Sequence, residues 1–187
     1  MLQDLSGKVA WVTGAGTGIG ESGAIALARA GMHVALSGRR KEKLEGVAAQ
    51  CEGRATIEEL DVSDRDSVSA VAQRIIQKFG RIDVLLASAG INVKERNWHN
   101  VSLDDWDSVI RIDLDGAFYC CKAVLPTMKE QGSGLIINIS SWAGKYVSVV
   151  TGPAYTAAKH AMNAMNESIN MEAGSFGVRA CAMCPGE

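Results

Sequence analysis

Tyr155 and Lys159 stand four residues apart in a stretch that reads as helix, which sets a phenol and an ammonium one turn apart on one face. A free tyrosine has a pKa of about 10, too high for a base at neutral pH. A fixed cation beside it favours the phenolate, so Lys159 is expected to bring Tyr155 down toward a working range. Ser141 lies in the run Asn138-Ile139-Ser140-Ser141-Trp142-Ala143-Gly144, just after an apolar strand-like segment. A serine at the carboxyl end of a strand faces the ligand side of an open α/β sheet. The helix that carries Tyr155 begins at the same rim, so the two hydroxyls can converge. The chemistry on offer is proton transfer by an activated phenol.

A second group of residues could hold phosphate. Thr13-Gly14-Ala15-Gly16-Thr17-Gly18-Ile19-Gly20 joins the first strand to the first helix. Glycines there let the backbone turn sharply and come close to a pyrophosphate, while the helix start offers free N–H groups and a positive dipole end. The spacing Gly14-x-x-x-Gly18-x-Gly20 differs from the common G-x-G-x-x-G, and no Gly-Lys-Ser/Thr follows to make a Walker loop. Where the second strand ends, an NAD site usually carries Asp or Glu for the ribose. Here the residues are Ser37-Gly38-Arg39-Arg40, with no carboxylate before Glu42. Arg39 and Arg40 suit a 2′-phosphate, so the cofactor is expected to be NADP, with NAD as the alternative.

These groups need a frame, and the chain supplies strands and helices in alternation. Lys8–Thr13, His33–Ser37, Ala55–Leu60, Ile82–Ala87, Leu135–Ile139 and Val178–Met183 read as six strands. Helices are expected over Ile19–Ala30 and Lys41–Cys51, then from an N-cap at Ser63 to Gly80. Two more are expected from Leu103 to Glu130, with Pro126 bending or ending that one, and over Tyr155–Ser175. Alternation of this kind implies right-handed βαβ crossovers. The expected fold is α/β, a Rossmann-type doubly wound parallel sheet of order 3-2-1-4-5-6 with helices on both faces. Residues 1–187 read as a single dinucleotide-binding and catalytic domain.

Composition excludes several classes. Lys plus Arg is 19 against 21 Asp plus Glu, so no basic field is present to hold nucleic acid or an anionic membrane. No apolar run approaches a membrane span, and residues 1–4 show no leader, which reads as a cytoplasmic protein. Five cysteines make an odd count without a secretory signal, and Cys181-x-x-Cys184 lacks the second pair a zinc site needs. Both are expected to be small buried thiols near a strand end. Trp11 reads as core, and His160 points away from Lys159 on its helix. Trp98, Trp142 and Tyr146 lie in loops at the carboxyl rim, where they either line an apolar substrate pocket or simply pack. Core or helix–helix contact is the expectation for Met162, Met165 and Met171 on the Tyr155 helix.

Taken in order, these motifs resemble the short-chain dehydrogenase/reductase family, in its single-domain branch that includes 3-oxoacyl carrier-protein reductases and hydroxysteroid dehydrogenases. The family's T-G-x-x-x-G-x-G turn is matched by Thr13, Gly14, Gly18 and Gly20, with Thr17 and Ile19 between them. Its adenine-contacting Asp is matched by Asp61, followed by Val62, its Ser, Tyr and Lys by Ser141, Tyr155 and Lys159, and its Pro-Gly by Pro185 and Gly186. The resemblance implies hydride transfer between NAD(P)(H) and a carbonyl or secondary alcohol. Tyr155 is then the general acid/base, Ser141 the holder of the oxygen, and Lys159 a tuner of Tyr155 that also contacts the nicotinamide ribose. Two residues depart from the pattern. Ala87-Ser88-Ala89-Gly90 stands where Asn-Asn-Ala-Gly is usual, and Asp113 stands where a relay Asn is usual. A main-chain role at Asp113 survives that change, whereas a side-chain role is altered. Family members also continue past Pro-Gly into a substrate lid and a further strand, so the chain reads as truncated before them. The expected partners are a small ketone or alcohol substrate, no nucleic acid, no membrane, and further copies of the chain as a homodimer or homotetramer. The open alternatives are a catalytically silent NAD(P)-sensing binding module and a sugar-nucleotide epimerase or dehydratase.

Overall fold

The computed structural model describes residues 5–186, so the leaderless reading of residues 1–4 lies outside the described part. Six strands are formed: β1 (Val9–Thr13), β2 (His33–Gly38), β3 (Ala55–Glu59), β4 (Val84–Ala87), β5 (Gly134–Ile139) and β6 (Val178–Met183). They make one sheet in the order β3-β2-β1-β4-β5-β6, and every adjacent pair is parallel. Helices connect them: α1 (Gly18–Arg29), α2 (Lys41–Ala48), α3 (Arg65–Phe79), α4 (Leu103–Val109), α5 (Gly116–Gln131) and α6 (Pro153–Ala173). The doubly wound order and the helices on both faces are as the alternation requires.

The sheet buries both faces, which is why its central strands are continuous apolar runs. Along β1 the side chains divide between two cores. Val9 and Trp11 pack with α3, α5 and the far end of α6, through residues such as Val71, Ile75, Val124, Met128 and Ile169. Val12 packs on the other side with α1 and α2, through Ala24, Ala28, Leu44 and Val47. Trp11 is fully buried, and its indole N–H donates to Ser37 Oγ at 2.9 Å, so the large side chain carries no unpaired polar atom.

Several local expectations change. Asp64, not Ser63, caps α3, accepting from the backbone N–H of Asp66 and Ser67. Ser63 instead donates to Asp61 Oδ1 at 2.8 Å. Ile82 and Asp83 lie before β4, where the Asp83 carboxylate accepts from the Val9 N–H. Pro126 neither ends nor divides α5, which runs on to Gln131 and stops at the left-handed Gly132. The long helix is interrupted earlier, by a wide π-type turn over Ile110–Asp115. Cys181 is exposed and Cys184 only half-buried, since β6 is an edge strand. Met171 is exposed rather than packed, whereas Met162 is fully buried.

Candidate active site

Parallel register lines up the carboxyl ends of the strands. Thr13 pairs with Ser37 and Ala87, Ala87 with Asn138, and Ile139 with Met183. The segments that follow therefore open onto one rim: the glycine turn, Ser88–Gly90, Ser140–Ser141 and Pro185–Gly186. The last of these is held in place by Trp142 N–H, which donates to Pro185 O at 2.9 Å. A cavity of about 570 Å³ lies along this rim, lined by Gly14, Thr17, Ile19, Ser88, Ala89, Gly90, Asp113, Ser141, Tyr155, Lys159, Pro185 and Gly186 among others. A smaller cavity of about 140 Å³ adjoins it, lined by Arg39, Arg40, Lys43, Asp61 and Val62, and shares Gly14, Thr17, Ala89 and Gly90 with the first. Gly18 and Gly20 line neither.

The turn fits a dinucleotide phosphate. Gly18 takes φ +60 with open space in front of it, a conformation that favours glycine and lets a ligand approach the backbone. A Cβ at Gly20 would overlap the Gly14 carbonyl, so glycine there is what closes the turn. The Thr17 side chain makes no cap to α1, so the first N–H groups of that 12-residue helix remain free donors. Arg39 and Arg40 are exposed at the mouth of the smaller cavity and form no ion pair among the described residues.

The catalytic candidates come from three elements. Ser141 follows β5, and its Oγ accepts from Ala143 N–H at 3.1 Å, which leaves the hydroxyl proton free to donate. Tyr155 and Lys159 come from the first turns of α6, where Pro153 at the start contributes no N–H that would go unpaired. Lys159 is almost completely buried. Its Nζ donates to Ile139 O at 3.0 Å, lies 3.2 Å from Asp113 Oδ2, and sits 5.2 Å from the centroid of the Tyr155 ring. Asp113 is wholly buried on the π-type turn, and its other oxygen accepts from Ile91 N–H at 2.7 Å. Burial foremost pushes the Asp113 carboxyl above its ordinary value, while Lys159 and the Ile91 N–H pull the other way.

This pairing changes the reading of Tyr155. The phenol is not drawn down: burial foremost raises it, the Asp113 charge raises it further, and the Ser141 hydroxyl opposes both. The physical reason is that burial disfavours the charged phenolate, and this outweighs the hydrogen bond from Ser141. The side-chain role at position 113 is thus an ion pair with the lysine. Trp142 lines the cavity, but Trp98 and Tyr146 do not; Trp98 lies on a separate apolar cleft with Trp106 and Val149. Sequence reasoning missed Arg96, Asn92 and Thr151 on the main cavity and Lys43 on the smaller one. Only Arg96 carried a signal, as a cation in the loop just past Gly90.

The sequence profile described as short chain dehydrogenase matches residues 8–187. An oxidoreductase of Staphylococcus aureus (strain MRSA252), itself uncharacterised, is 37% identical over 183 residues, spanning 97% of this chain and 78% of that protein. A 3β-hydroxysteroid dehydrogenase of Mediterraneibacter gnavus is 34% identical over 181 residues, spanning 95% of this chain and 65% of that one. Among solved structures, a candidate short-chain alcohol dehydrogenase from Sinorhizobium meliloti 1021 superposes with a TM-score of 0.92 at 33% identity, over 100% of this chain and 74% of its own.

Proposed function

This chain belongs to the short-chain dehydrogenase/reductase family of oxidoreductases, and from that premise we propose that it moves a hydride between NAD(P)(H) and a carbonyl or secondary-alcohol carbon, with Tyr155 as general acid/base. The observation that carries this reading is the sharing of one cavity by Ser141, Tyr155, Lys159 and the glycine turn. A bound nicotinamide supplies or accepts the hydride. Tyr155 gives its phenolic proton to the carbonyl oxygen, or takes one from the alcohol. Ser141 donates to the same oxygen and stabilises the charge that develops there. Of the three ammonium protons on Lys159, one goes to Ile139 O and one faces Asp113, which leaves the third for a cofactor hydroxyl. Asp113 holds the lysine and, through Ile91 N–H, the loop after Gly90.

In this reading Gly14, Thr17, Gly18, Ile19 and Gly20 hold the pyrophosphate. Asp61 and Val62 bound the adenine, and Ser88, Ala89, Gly90, Pro185 and Gly186 enclose the nicotinamide end. Arg39 and Arg40, joined by Lys43, favour NADP through its 2′-phosphate. The exposed Phe118 on α5 and Met171 on α6 support assembly as a homodimer or homotetramer.

Replacing Tyr155 with Phe tests the assignment. Turnover of ketone and alcohol panels is expected to fall by about a hundredfold or more, with both nucleotides still bound and NADP tighter than NAD. Retained turnover removes Tyr155 from its role, and tighter NAD removes the arginine argument. A wild-type chain that binds cofactor but turns nothing over assigns the silent sensing module instead.

A further inference from the structure

Resting on that oxidoreductase reading, we propose that the substrate carries a carboxylate and that Arg96 is the residue that binds it. The charged side chains on the main cavity are Arg96, Asp113 and Lys159. Asp113 and Lys159 neutralise each other at 3.2 Å, so Arg96 is the charged residue lining the cavity whose charge is uncompensated. It is half-buried, and it makes no ion pair or side-chain hydrogen bond among the described residues. A guanidinium beside a reacting centre and without a partner is free to pair with an anion.

The backbone around Arg96 is built rather than loose. Asn92 Nδ2 donates to Thr151 O at 3.0 Å, which stitches the loop after β4 to the segment just before α6. Gly152 takes φ +76 and packs so tightly on Arg96 that a Cβ would overlap the Arg96 carbonyl. The guanidinium is therefore carried by a wall that leads directly into the turn bearing Tyr155. The cofactor's own phosphates have the glycine turn and, in the adjoining smaller cavity that Arg96 does not line, the Arg39/Arg40/Lys43 cluster, so they do not need Arg96.

A planar fork of donors matches a carboxylate with two parallel hydrogen bonds. The same site penalises a neutral analogue, because binding it leaves the guanidinium both desolvated and unpaired. The substrate class is an oxo acid or hydroxy acid, whose reacting carbon meets Tyr155 while its carboxylate meets Arg96.

The test compares oxo carboxylates of increasing chain length with their methyl esters, following oxidation of NADPH and NADH by the wild type, Arg96→Gln and Arg96→Lys. One acid is expected to exceed its ester in kcat/KM by about tenfold or more. Arg96→Gln should abolish that preference through KM, Arg96→Lys should keep part of it, and cofactor Kd, read separately by fluorescence titration, should not move. Equal use of acid and ester overturns the inference, as does a weakened cofactor Kd in Arg96→Gln, which reassigns the guanidinium to the cofactor phosphates. If neutral ketones alone are turned over, only the carboxylate fails; if cofactor binds and no carbonyl compound or alcohol is turned over, the oxidoreductase reading fails with it.

Discussion

At the scale of single residues the most consequential contact is the buried pair between Asp113 and Lys159. Two opposite charges out of water need hydrogen bonds besides each other, and here the Ile91 N–H and the Ile139 carbonyl supply one to each. The pair has an electrical consequence for Tyr155, whose phenol is raised by burial and then by the Asp113 charge. Asp113→Asn removes that charge and leaves the Lys159 ammonium uncountered, so both effects lower the phenol pKa. Alcohol oxidation needs phenolate and grows as pH rises through that value. Its acid-side limb is therefore expected to move to lower pH in Asp113→Asn, and the alkaline fall of ketone reduction should move the same way. Two pH–rate profiles check this; unmoved limbs would show that the Asp113 charge does not reach the phenol. The amide retains an acceptor for Ile91 N–H, so the loop after Gly90 should keep its place.

At the scale of elements, the strands that carry the site at their carboxyl ends are held at their amino ends by Asp83. Its carboxylate accepts from Val9 N–H at 2.9 Å and from Arg81, and Lys8 lies 3.1 Å away, so one side chain ties the start of β1 to the start of β4. Burial pushes its carboxyl up, but Arg81, the Val9 N–H and Lys8 together outweigh burial and hold it below the usual carboxylate range. A carboxyl whose pKa falls on folding stabilises the protein above its unfolded pKa and loses that contribution as pH falls through the folded value. Asp83→Asn is expected to lose about 1–2 kcal/mol at neutral pH, after allowance for the exposure of Arg81 and Lys8. The deficit should shrink on acidification, and thermal melts across pH measure it. The long helix teaches a different lesson. Its periodicity from Leu103 onward shows a helix but not the π-type turn at Ile110–Asp115, because that turn arises where the backbone must carry a buried carboxylate to Lys159.

At the scale of the whole molecule, Phe118, 49% exposed, lines the groove between α5 and α6, and Met171 on α6 is 86% exposed. If these exposed apolar residues join copies of the chain, Phe118→Glu with Met171→Glu should lower the sedimenting mass to that of one chain without unfolding it. A wild type that already sediments as one chain would defeat the assembly reading. No helix among the described residues is long and apolar enough to cross a membrane. The order of strands, the parallel sheet, the glycine turn and the family were all legible in the residues themselves. Each rests on local periodicity or on motifs whose spacing is set by backbone geometry, and both are written along the chain. The electrical state of Tyr155, the partner of Lys159 and the wall bearing Arg96 were not. They depend on groups 22, 46 and 59 positions apart meeting, as the Ile91 N–H meets Asp113, Asp113 meets Lys159, and Asn92 meets the Thr151 carbonyl. Charge interactions at such separations are decided by distance and desolvation, which exist only once the sheet has brought its carboxyl ends together.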